Sequence, residues 1–370
     1  SGNVRKNMEF VVFAGVLLLL FIFMIVQELI QTKNQEKLFK KYLRENYGKE
    51  PPKEYSLERF ARLGSYLERH KEEKQLDDIT WNDLGMDEVF RRIDRTYSAA
   101  GEEYLYYTLR NISCGREAME HLEEVVNWLQ EQEDIKVRIQ LLMKRLGHLG
   151  KYSLYDYLDN LDYLGERSNR KIVLGNLLYL PFLLLLFVQP AMGTIGIVLC
   201  MLWHIMTYFR EKKVIEPYII SFAYVLRLID VCEELEKQKI PVYRRELDEL
   251  REVLKSLREL RRGSYWVMAG NQGKIGGNPL DILADYLRMI LHLDIFQFNR
   301  MLEKLRKKTG QVETMLAITG YLDMAISVGG FRKSLEGYCI PKLEEDTEKA
   351  FLHMKKGWHP LLSPPVENSI

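Results

Sequence analysis

Two long runs without charge limit what this chain can fold into. Every residue of Phe10–Val26 is apolar, and Ile172–Phe209 contains no Asp, Glu, Lys or Arg. A transmembrane helix needs roughly 20 consecutive, mostly apolar residues to cross the hydrocarbon core of a bilayer. The first run therefore predicts one N-terminal membrane helix. The second has the length of about two such helices and is broken at Gln189–Gly193, so it predicts a transmembrane hairpin.

The charges that flank these runs predict how the chain is oriented. Basic residues follow the first run and stand on both sides of the second, whereas the hairpin turn carries no charge. They are Lys33, Lys37, Lys40, Lys41, Arg44, Arg167, Arg170, Lys171, Arg210, Lys212 and Lys213. Lys and Arg accumulate on the cytoplasmic side of membrane helices. We therefore expect a multi-pass membrane protein whose polar body is cytoplasmic and whose hairpin turn faces the other side.

A cleaved signal peptide is the rival interpretation of Phe10–Val26. Such a peptide ends in a small-residue cleavage site. No site of this kind precedes the charged residues that begin after Gln31. The N-terminal run is therefore interpreted as an anchor.

Composition excludes several classes of function. The 370 residues include 53 Lys and Arg against 52 Asp and Glu, so there is no global signal for binding a polyanion. The 28% of charged residues concentrate outside the apolar runs, as in long solvated helices. The four cysteines have no paired spacing, which suits a reducing cytosol and argues against a zinc cluster.

The polar body is predicted to be helical throughout. Asp77-Asp78-Ile79-Thr80 offers the capping residues of a helix start. In Arg116–Leu149 apolar residues recur at helical spacing, which predicts two helices or one bent helix. In Arg244–Arg262 a leucine stripe alternates with Glu and Arg, as in a helix with one packed and one solvated face. We expect an all-α, multi-helix core with long lever-type helices and a short β start at the C-terminus, from Trp358 onward.

A Gly-rich segment, Gly263–Pro279, interrupts the helical pattern. Within it, Gly270-Asn271-Gln272-Gly273-Lys274-Ile275 invites comparison with a Walker A loop. That loop needs four residues between its glycines and a Ser or Thr after its lysine. Here two residues separate the glycines and Ile275 follows Lys274, so the segment is interpreted as a flexible loop between helices.

Isolated polar residues give no catalytic or metal signature. His204 and Asn176 lie in the charge-free run without a charged partner, so helix-packing or interfacial roles are favoured over transport. His148, His292 and His353 stand apart without metal-ligand spacing. The sequence therefore predicts no catalytic residue and no metal site on this chain.

Four short motifs resemble the signatures of one family. The first starts at Asp94-Arg95-Thr96 and continues through Gly101, Tyr104-Leu105 and Leu109. The others are Gly320–Ser327, Gly337–Pro341, and Gly357–Leu362 with Val366–Asn368. In their order and spacing they resemble D-R-T-x-T-x-x-G-x-R-L-L, G-x-L-D-x-L-x-S, x-Y-x-x-P and x-R-H-P-x-L … F-V-x-N of the MutS family. That family comprises DNA mismatch-repair ATPases and their relatives, and the resemblance covers residues 76–166 and 214–370.

The resemblance implies a role for each matched residue. The core motif consists of Asp94, Arg95, Thr96, Gly101 and Leu105. In the family its glycine allows helices to approach closely and its leucines point into the core. His359 and Pro360 correspond to the motif that opens the ATPase domain, and Val366 and Asn368 to the edge of a truncated nucleotide site.

The chain also departs from the family pattern. The Phe-x-Glu wedge of the mismatch-reading domain is missing, because Phe209-Arg210-Glu211 lies at a membrane edge. A membrane hairpin replaces soluble helices, and residues 263–279 are too few for a full DNA clamp. Pro365 stands where the family stacks an aromatic residue on adenine. The chain stops at Ile370, where a Walker A strand is expected to follow, so we expect no complete nucleotide site and no ATP hydrolysis by this chain alone.

These features predict a domain organisation. It comprises a transmembrane anchor (1–30), a basic, then mixed-charge linker (31–75), MutS-like core helices (76–170), the hairpin (171–211), further core and lever helices (212–356) and the start of a truncated ATPase domain (357–370). The expected function is that of the membrane-anchored core and lever region of a DNA-binding ATPase. It would couple a missing C-terminal ATPase domain to DNA or a partner at the cytoplasmic membrane face. The alternative is a membrane-bound helical scaffold or signalling protein that does not bind DNA.

Cofactors and partners follow from the same resemblance. ATP and magnesium are expected for the full-length parent and no cofactor for this chain. Expected partners are the lipid bilayer, duplex or branched DNA bound without sequence specificity, and a second copy held through the missing ATPase domain. Arg91, Arg92 and Arg95 are the candidates for phosphate contacts, although a solvated helix face is the favoured interpretation. DNA affinity that falls steeply with salt would distinguish the two functions.

Overall fold

The computed structural model describes most of the chain. It covers residues 23–24, 26–27, 30–49, 55, 57–71, 75–112, 115–150, 153–258, 279–343, 351–359, 361–362, 364 and 366–370. Nearly all of the predicted anchor Phe10–Val26, the Gly-rich segment 263–278 and Pro360 lie outside the described residues. The chain divides into two units, Ser1–Lys49 and Glu50–Ile370. In the first unit, residues 30–46 form a helix on which Lys40 pairs with Glu36 one turn earlier.

The second unit is helical with almost no strands among its described residues, as predicted. Its α-helices are α1 (Leu57–Arg69), α2 (Asp78–Asp83), α3 (Met86–Ile93), α4 (Ala99–Arg110), α5 (Arg116–Glu131), α6 (Glu133–Leu146), α7 (Leu154–Asp159), α8 (Arg170–Leu177), α9 (Tyr179–Val188), α10 (Pro190–Glu236), α11 (Arg244–Leu257), α12 (Pro279–Leu291), α13 (Leu293–Arg306) and α14 (Thr309–Lys333). Short 3₁₀ turns occur at Leu161–Leu164 and Pro241–Tyr243.

Polar caps fix several helix starts in this unit. Asp77 accepts a hydrogen bond from the backbone N–H of Thr80, which confirms the predicted start of α2. Ser98 caps α4 by accepting from Gly101 N–H. For Arg116–Leu149 the sequence predicted either two helices or one bent helix. The structure has two helices, α5 and α6, with Gln132 between them.

Helices α8, α9 and α10 form a hairpin with an apolar outer surface. Two glycines on α10 allow the close approach of α9. A Cβ atom at Gly193 would lie 2.7 Å from the backbone nitrogen of Leu186, and one at Gly196 would overlap the ring of Phe182. Large apolar side chains on the outside remain exposed to the surroundings, among them Leu184, Phe187 and Met206.

Among the described residues, three helical segments are long and apolar enough to cross a membrane: Arg170–Val188, α10 and α14. The first segment and the apolar part of α10 are largely unburied, whereas most of α14 is buried within the protein. A helix that is already covered by protein on most sides lies in a core. The described residues therefore place α14 at the centre of the helical body.

Helix α10 continues from the hairpin into the body without a break. It runs through the predicted boundary at residues 211 and 212 and passes Pro217 while remaining helical. Its second half is buried, with Phe222, Leu228 and Cys232 fully covered. At 1.5 Å per residue its 47 residues span roughly 70 Å. One continuous helix thus belongs both to the hairpin and to the core.

The core of the body forms around α14. This helix packs most extensively against α4, and it also contacts α5, α6 and α11. A hydrophobic cluster beside it consists of Leu63, Trp81, Phe90, Leu105, Tyr106 and Met324. The leucine of the resembling core motif, Leu105, therefore points into the core.

The C-terminal segment folds back on itself. Gly357 and Asn368 form an antiparallel bridge in which the two backbones exchange hydrogen bonds of 2.8 and 2.7 Å. Met354 and Ile370 exchange a second pair of 3.0 and 2.9 Å. Only one side of this pairing falls after Trp358, so the short β start and its assignment to an ATPase domain both stay predictions.

Candidate functional site

Two of the four resembling motifs meet at one buried carboxyl group. Asp323 on α14 is buried and accepts hydrogen bonds from the backbone N–H groups of Tyr97 (3.0 Å) and Ser98 (2.8 Å). It also accepts a bond of 2.6 Å from the Ser98 hydroxyl. Asp323 and Ser98 are 225 residues apart in the chain. The carboxyl group therefore joins the start of α4 to the middle of α14, and we call this contact region the motif junction.

Two glycines bring the backbones of α4 and α14 together at the motif junction. A Cβ atom at Gly101 would lie 2.6 Å from Cβ of Asp323, which is closer than real side chains approach. A Cβ atom at Gly320 would lie 2.6 Å from the carbonyl oxygen of Ala100. Each glycine therefore faces the other helix, and neither position has room for a side chain. The close helix approach that the resemblance implied for Gly101 is present here.

Replacing Gly101 by Ala or Leu is expected to destabilise the body by about 1–3 kcal/mol, because the new Cβ atom overlaps Asp323. Gly64→Ala on α1 is the matched control, since nothing lies within 4 Å of its added Cβ atom. Replacing a helical glycine by alanine in open space stabilises by about 0.5–1 kcal/mol. Thermal unfolding of the purified protein should show a lower Tm for both Gly101 variants and an unchanged or higher Tm for the control. An unchanged Tm for Gly101→Leu would exclude the packing role.

The remaining residues of the core motif complete the motif junction. Asp94 is buried and accepts two bonds from Thr96, from its N–H at 2.9 Å and its hydroxyl at 2.6 Å. Ser327 on α14 accepts from the N–H of Arg95 at 2.8 Å and donates to the carbonyl oxygen of Ile93 at 2.8 Å. A second hydroxyl–backbone contact thus joins α14 to the chain just before α4.

Asp94 also binds the hydroxyl group of Tyr55 from outside the motif. Burial, and next the negative charge of Asp94, raise the pKa of the Tyr55 hydroxyl far above its usual value. The hydroxyl therefore stays protonated and acts as a hydrogen-bond donor to the carboxylate. This contact is one that the sequence pattern did not indicate.

Adjacent glutamates on α4 occupy two different environments. Glu102 is buried and paired with Arg59 at 2.5 Å and Arg62 at 2.7 Å. Glu103 is buried beside Ser153, whose hydroxyl donates to it at 2.8 Å. Burial raises the pKa of Glu103 to about 8, while the Ser153 hydrogen bond acts in the opposite direction. These groups bind α4 to its neighbours, Glu102 to α1 and Glu103 to the residue that precedes α7.

The three arginines predicted to contact phosphate lie on and just after α3. The guanidinium group of Arg91 pairs with Glu88 at 2.9 Å and stacks over the rings of Tyr55 and Phe60. Arg95 donates to the carbonyl oxygen of Arg92 at 2.7 Å and to the Ser334 hydroxyl at 3.2 Å. Arg91 thus has an ion-pair partner on its own helix, and Arg95 is bonded to the backbone of α3 and to Ser334.

The residues predicted at the nucleotide edge lie in the C-terminal segment. Val366 and Asn368 are exposed, and the backbone of Asn368 pairs with Gly357. The Nδ1 atom of His359 accepts from the N–H of Leu361 at 3.3 Å. The described residues bring none of these side chains into hydrogen-bonding contact with the motif junction. They also contain no cluster of three or more His, Cys, Asp or Glu that could hold a metal ion.

A second candidate site was missed by sequence reasoning. A cavity of about 380 Å³ lies where α8, the middle of α10 and the α12–α13 turn meet. Its walls include Arg167, Lys171, His204, Arg210 and His292. In the sequence, the basic residues among them indicate only how the chain is oriented in the membrane. The one available signal was their position at both bases of the hairpin.

Comparison with known proteins identifies no relative: no family model, no curated protein and no solved structure matches this chain. The MutS resemblance therefore depends on the motif residues themselves and on the contacts among them.

Proposed function

We propose that this chain is the membrane-anchored core and lever region of a MutS-like ATPase. In this role it couples a C-terminal ATPase domain, which uses ATP and magnesium and pairs two copies, to DNA or a partner at the cytoplasmic membrane face. The observation that carries the proposal is the motif junction. Residues of two motifs, separated by 225 positions, meet at Asp323 in direct hydrogen bonds. If the two short motifs resembled the family only by chance, there would be no reason for their residues to contact each other in the fold.

The hairpin supplies the membrane anchor in this proposal. Its outer face carries Leu184, Phe187 and Met206, with 68, 89 and 74% of their surface exposed. A contiguous apolar surface of this kind is unfavourable in water and favourable in lipid. Lys171 precedes the hairpin and Arg210 follows it, so both bases carry positive charge. This distribution favours a body on the cytoplasmic side.

Helix α10 provides the coupling. It begins at the hairpin turn and ends in the body, where it contacts α14 as well as α6 and α11. A displacement of the body relative to the membrane must therefore move or bend this helix. Helix α14 is in turn bonded to the start of α4 through Asp323 and Ser327. The proposed lever thus consists of α10 and α14, connected through packed side chains.

A helical scaffold that does not bind DNA is the second candidate function. The observation that favours it is the state of Arg91 and Arg95, whose guanidinium groups are bonded within the body. A phosphate must replace those partners, or share the side chain with them, to be bound. Exposed ion pairs such as Arg91–Glu88 exchange readily, which leaves Arg91 able to rearrange.

DNA binding by the purified full chain distinguishes the two functions. Fluorescence anisotropy with a labelled duplex and a four-way junction should detect affinity that decreases with salt. Three phosphate contacts give a log–log slope of about −2.7, which is roughly a 40-fold loss between 50 and 200 mM salt. Arg91→Gln/Arg92→Gln should reduce the magnitude of this slope by about two. Arg95 is retained in this variant because its guanidinium group bonds to the backbone at the end of α3 and to Ser334 after α14, so its loss would also disturb the fold.

Arg244→Gln/Arg245→Gln is the matched control for this measurement. Both arginines are exposed on α11. Replacing them removes two positive charges from the body, as the Arg91/Arg92 double variant does. The proposal expects this control to keep the slope of the unaltered chain. An equal loss in both double variants would assign binding to overall charge, and no binding at 50 mM salt would leave the scaffold as the function.

A further inference from the structure

The cavity at the base of the hairpin has a charged mouth. Lys171 stands in the first turn of α8, and Arg210 stands on α10 where the charge-free run ends. Both side chains are exposed, and neither makes an ion pair or hydrogen bond within the part of the chain that the structure describes. Arg167 also lines the mouth, but it is bonded to Glu211 and Asn299. Two cations without an ion pair among the described residues therefore line one opening, together with the exposed carboxylate of Glu166.

The inner part of the cavity contains buried imidazoles. His204 is 1% exposed, and neither of its ring nitrogens has a hydrogen-bond partner among the described residues. Its Nε2 edge faces Gly175 of the cavity wall, where an added Cβ atom would lie 3.3 Å away. The ring of His292 lies 5.1 Å from that of His204, and its Nδ1 atom also has no such partner. Buried polar groups are normally bonded, so these nitrogens indicate a polar ligand that enters from the cavity.

The depth of the cavity matches the boundary of a bilayer. His204 precedes Arg210 by six residues, which is about 9 Å along the helix axis. Trp203 lines the same wall and is half exposed, as tryptophans at the membrane–water boundary are. The opening thus lies among charges, while the interior lies beside the apolar part of the hairpin.

We propose that this cavity binds the phosphate group of an anionic phospholipid from the cytoplasmic leaflet. Lys171 and Arg210 contact the phosphate oxygens, and the imidazole of His204 contacts the glycerol ester oxygens, which lie deeper in the bilayer than the phosphate. A volume of about 380 Å³ lies within the usual range for small-ligand sites. The inference depends on the hairpin lying in the membrane, and it does not depend on the MutS-like assignment.

The charge state of His292 agrees with a polar wall that adds no charge of its own. Burial, and next the neighbouring His204, lower the pKa of His292 to about 4. His292 is therefore uncharged at neutral pH and adds no positive charge to the inner wall. A metal ion would need further ligands beside the two imidazoles, and the described residues supply no such cluster.

Lipid retention by the purified full chain tests this proposal. The protein is reconstituted in nanodiscs of phosphatidylcholine with a minor fraction of phosphatidylglycerol. Native mass spectrometry then releases the protein from the nanodisc and counts the phosphatidylglycerol molecules that stay bound to it. Lys171→Gln/Arg210→Gln should reduce the apparent affinity for phosphatidylglycerol about tenfold or more. Both substituted side chains are exposed, so the fold should persist.

Arg170→Gln/Lys213→Gln is the matched control. It removes two exposed charges from the same bases of the hairpin, but neither residue lines the cavity. The proposal expects this control to retain phosphatidylglycerol. Equal losses in both double variants would show attraction by surface charge alone and overturn the proposal.

A competition arm separates the lipid from a soluble source of phosphate. Glycerol 3-phosphate and inorganic phosphate at millimolar concentration should not displace the retained lipid, because they cannot occupy the apolar side of the opening. Displacement of phosphatidylglycerol by either compound would overturn the lipid assignment in favour of a soluble phosphate.

Discussion

Replacing Asp323 by alanine is expected to destabilise the body by about 3–5 kcal/mol. The substitution leaves the N–H groups of Tyr97 and Ser98 and the Ser98 hydroxyl without their acceptor in a buried site. Each unsatisfied buried donor costs about 1–3 kcal/mol. Thermal unfolding of the purified chain measures the loss as a lower Tm.

Two further variants show whether the loss of stability comes from the hydrogen bonds of Asp323. Asp323→Asn keeps one carbonyl acceptor, so its loss should be smaller than that of the alanine variant. Asp248→Ala removes an exposed carboxylate from α11 and should change the Tm little. Equal Tm values for Asp323→Ala and Asp248→Ala would contradict the motif junction as a stabilising contact.

Replacing Leu184 by arginine is expected to prevent correct insertion of the hairpin. Leu184 is 68% exposed on α9, so the charge would face the hydrocarbon core of the bilayer. Translocon scales assign about 2.5–3.5 kcal/mol to an arginine at the centre of a membrane helix. Chymotrypsin treatment of inverted membrane vesicles should leave a protected hairpin fragment from the unaltered chain and cleave that fragment in the variant.

Leu84→Arg is the matched control for the insertion experiment. Leu84 is also an exposed leucine, but it follows α2 in the polar body. Its variant should keep the protected hairpin fragment. If Leu184→Arg kept the same fragment, the hairpin would tolerate charge and the bilayer would not surround it. Membrane fractionation alone is less decisive, because an anchor at Phe10–Val26 would hold either variant.

Much of the helical architecture could be predicted because its signals are local. Asp77 marks the start of α2 by capping chemistry, and apolar spacing indicates the helices between Arg116 and Leu149. The predicted domain boundary at residues 211 and 212 falls inside α10, because a change in charge marks a membrane edge and need not end a helix. Helix α10 continues through that edge and through Pro217.

The candidate sites were predictable to different extents. Gly101 could be assigned a close-packing role from its motif, but its contact with Asp323 depends on a tertiary contact between distant segments. The cavity gave no comparable signal. His204 and His292 come from separate helical regions, and each has the appearance of an isolated histidine in the sequence. Only the packing of α8, α10 and the α12–α13 turn brings them to one cavity.

The orientation of the hairpin tests the central claim, because a body that binds DNA or supports an ATPase must lie in the cytoplasm. Met192→Cys places a thiol at the hairpin turn, and the exposed native Cys339 reports on the body. Intact cells are treated with a membrane-impermeant maleimide, and labelled peptides are assigned by mass spectrometry. The account predicts labelling of Met192→Cys in intact cells and of Cys339 only after permeabilisation. Labelling of Cys339 in intact cells, with the turn protected, would contradict it.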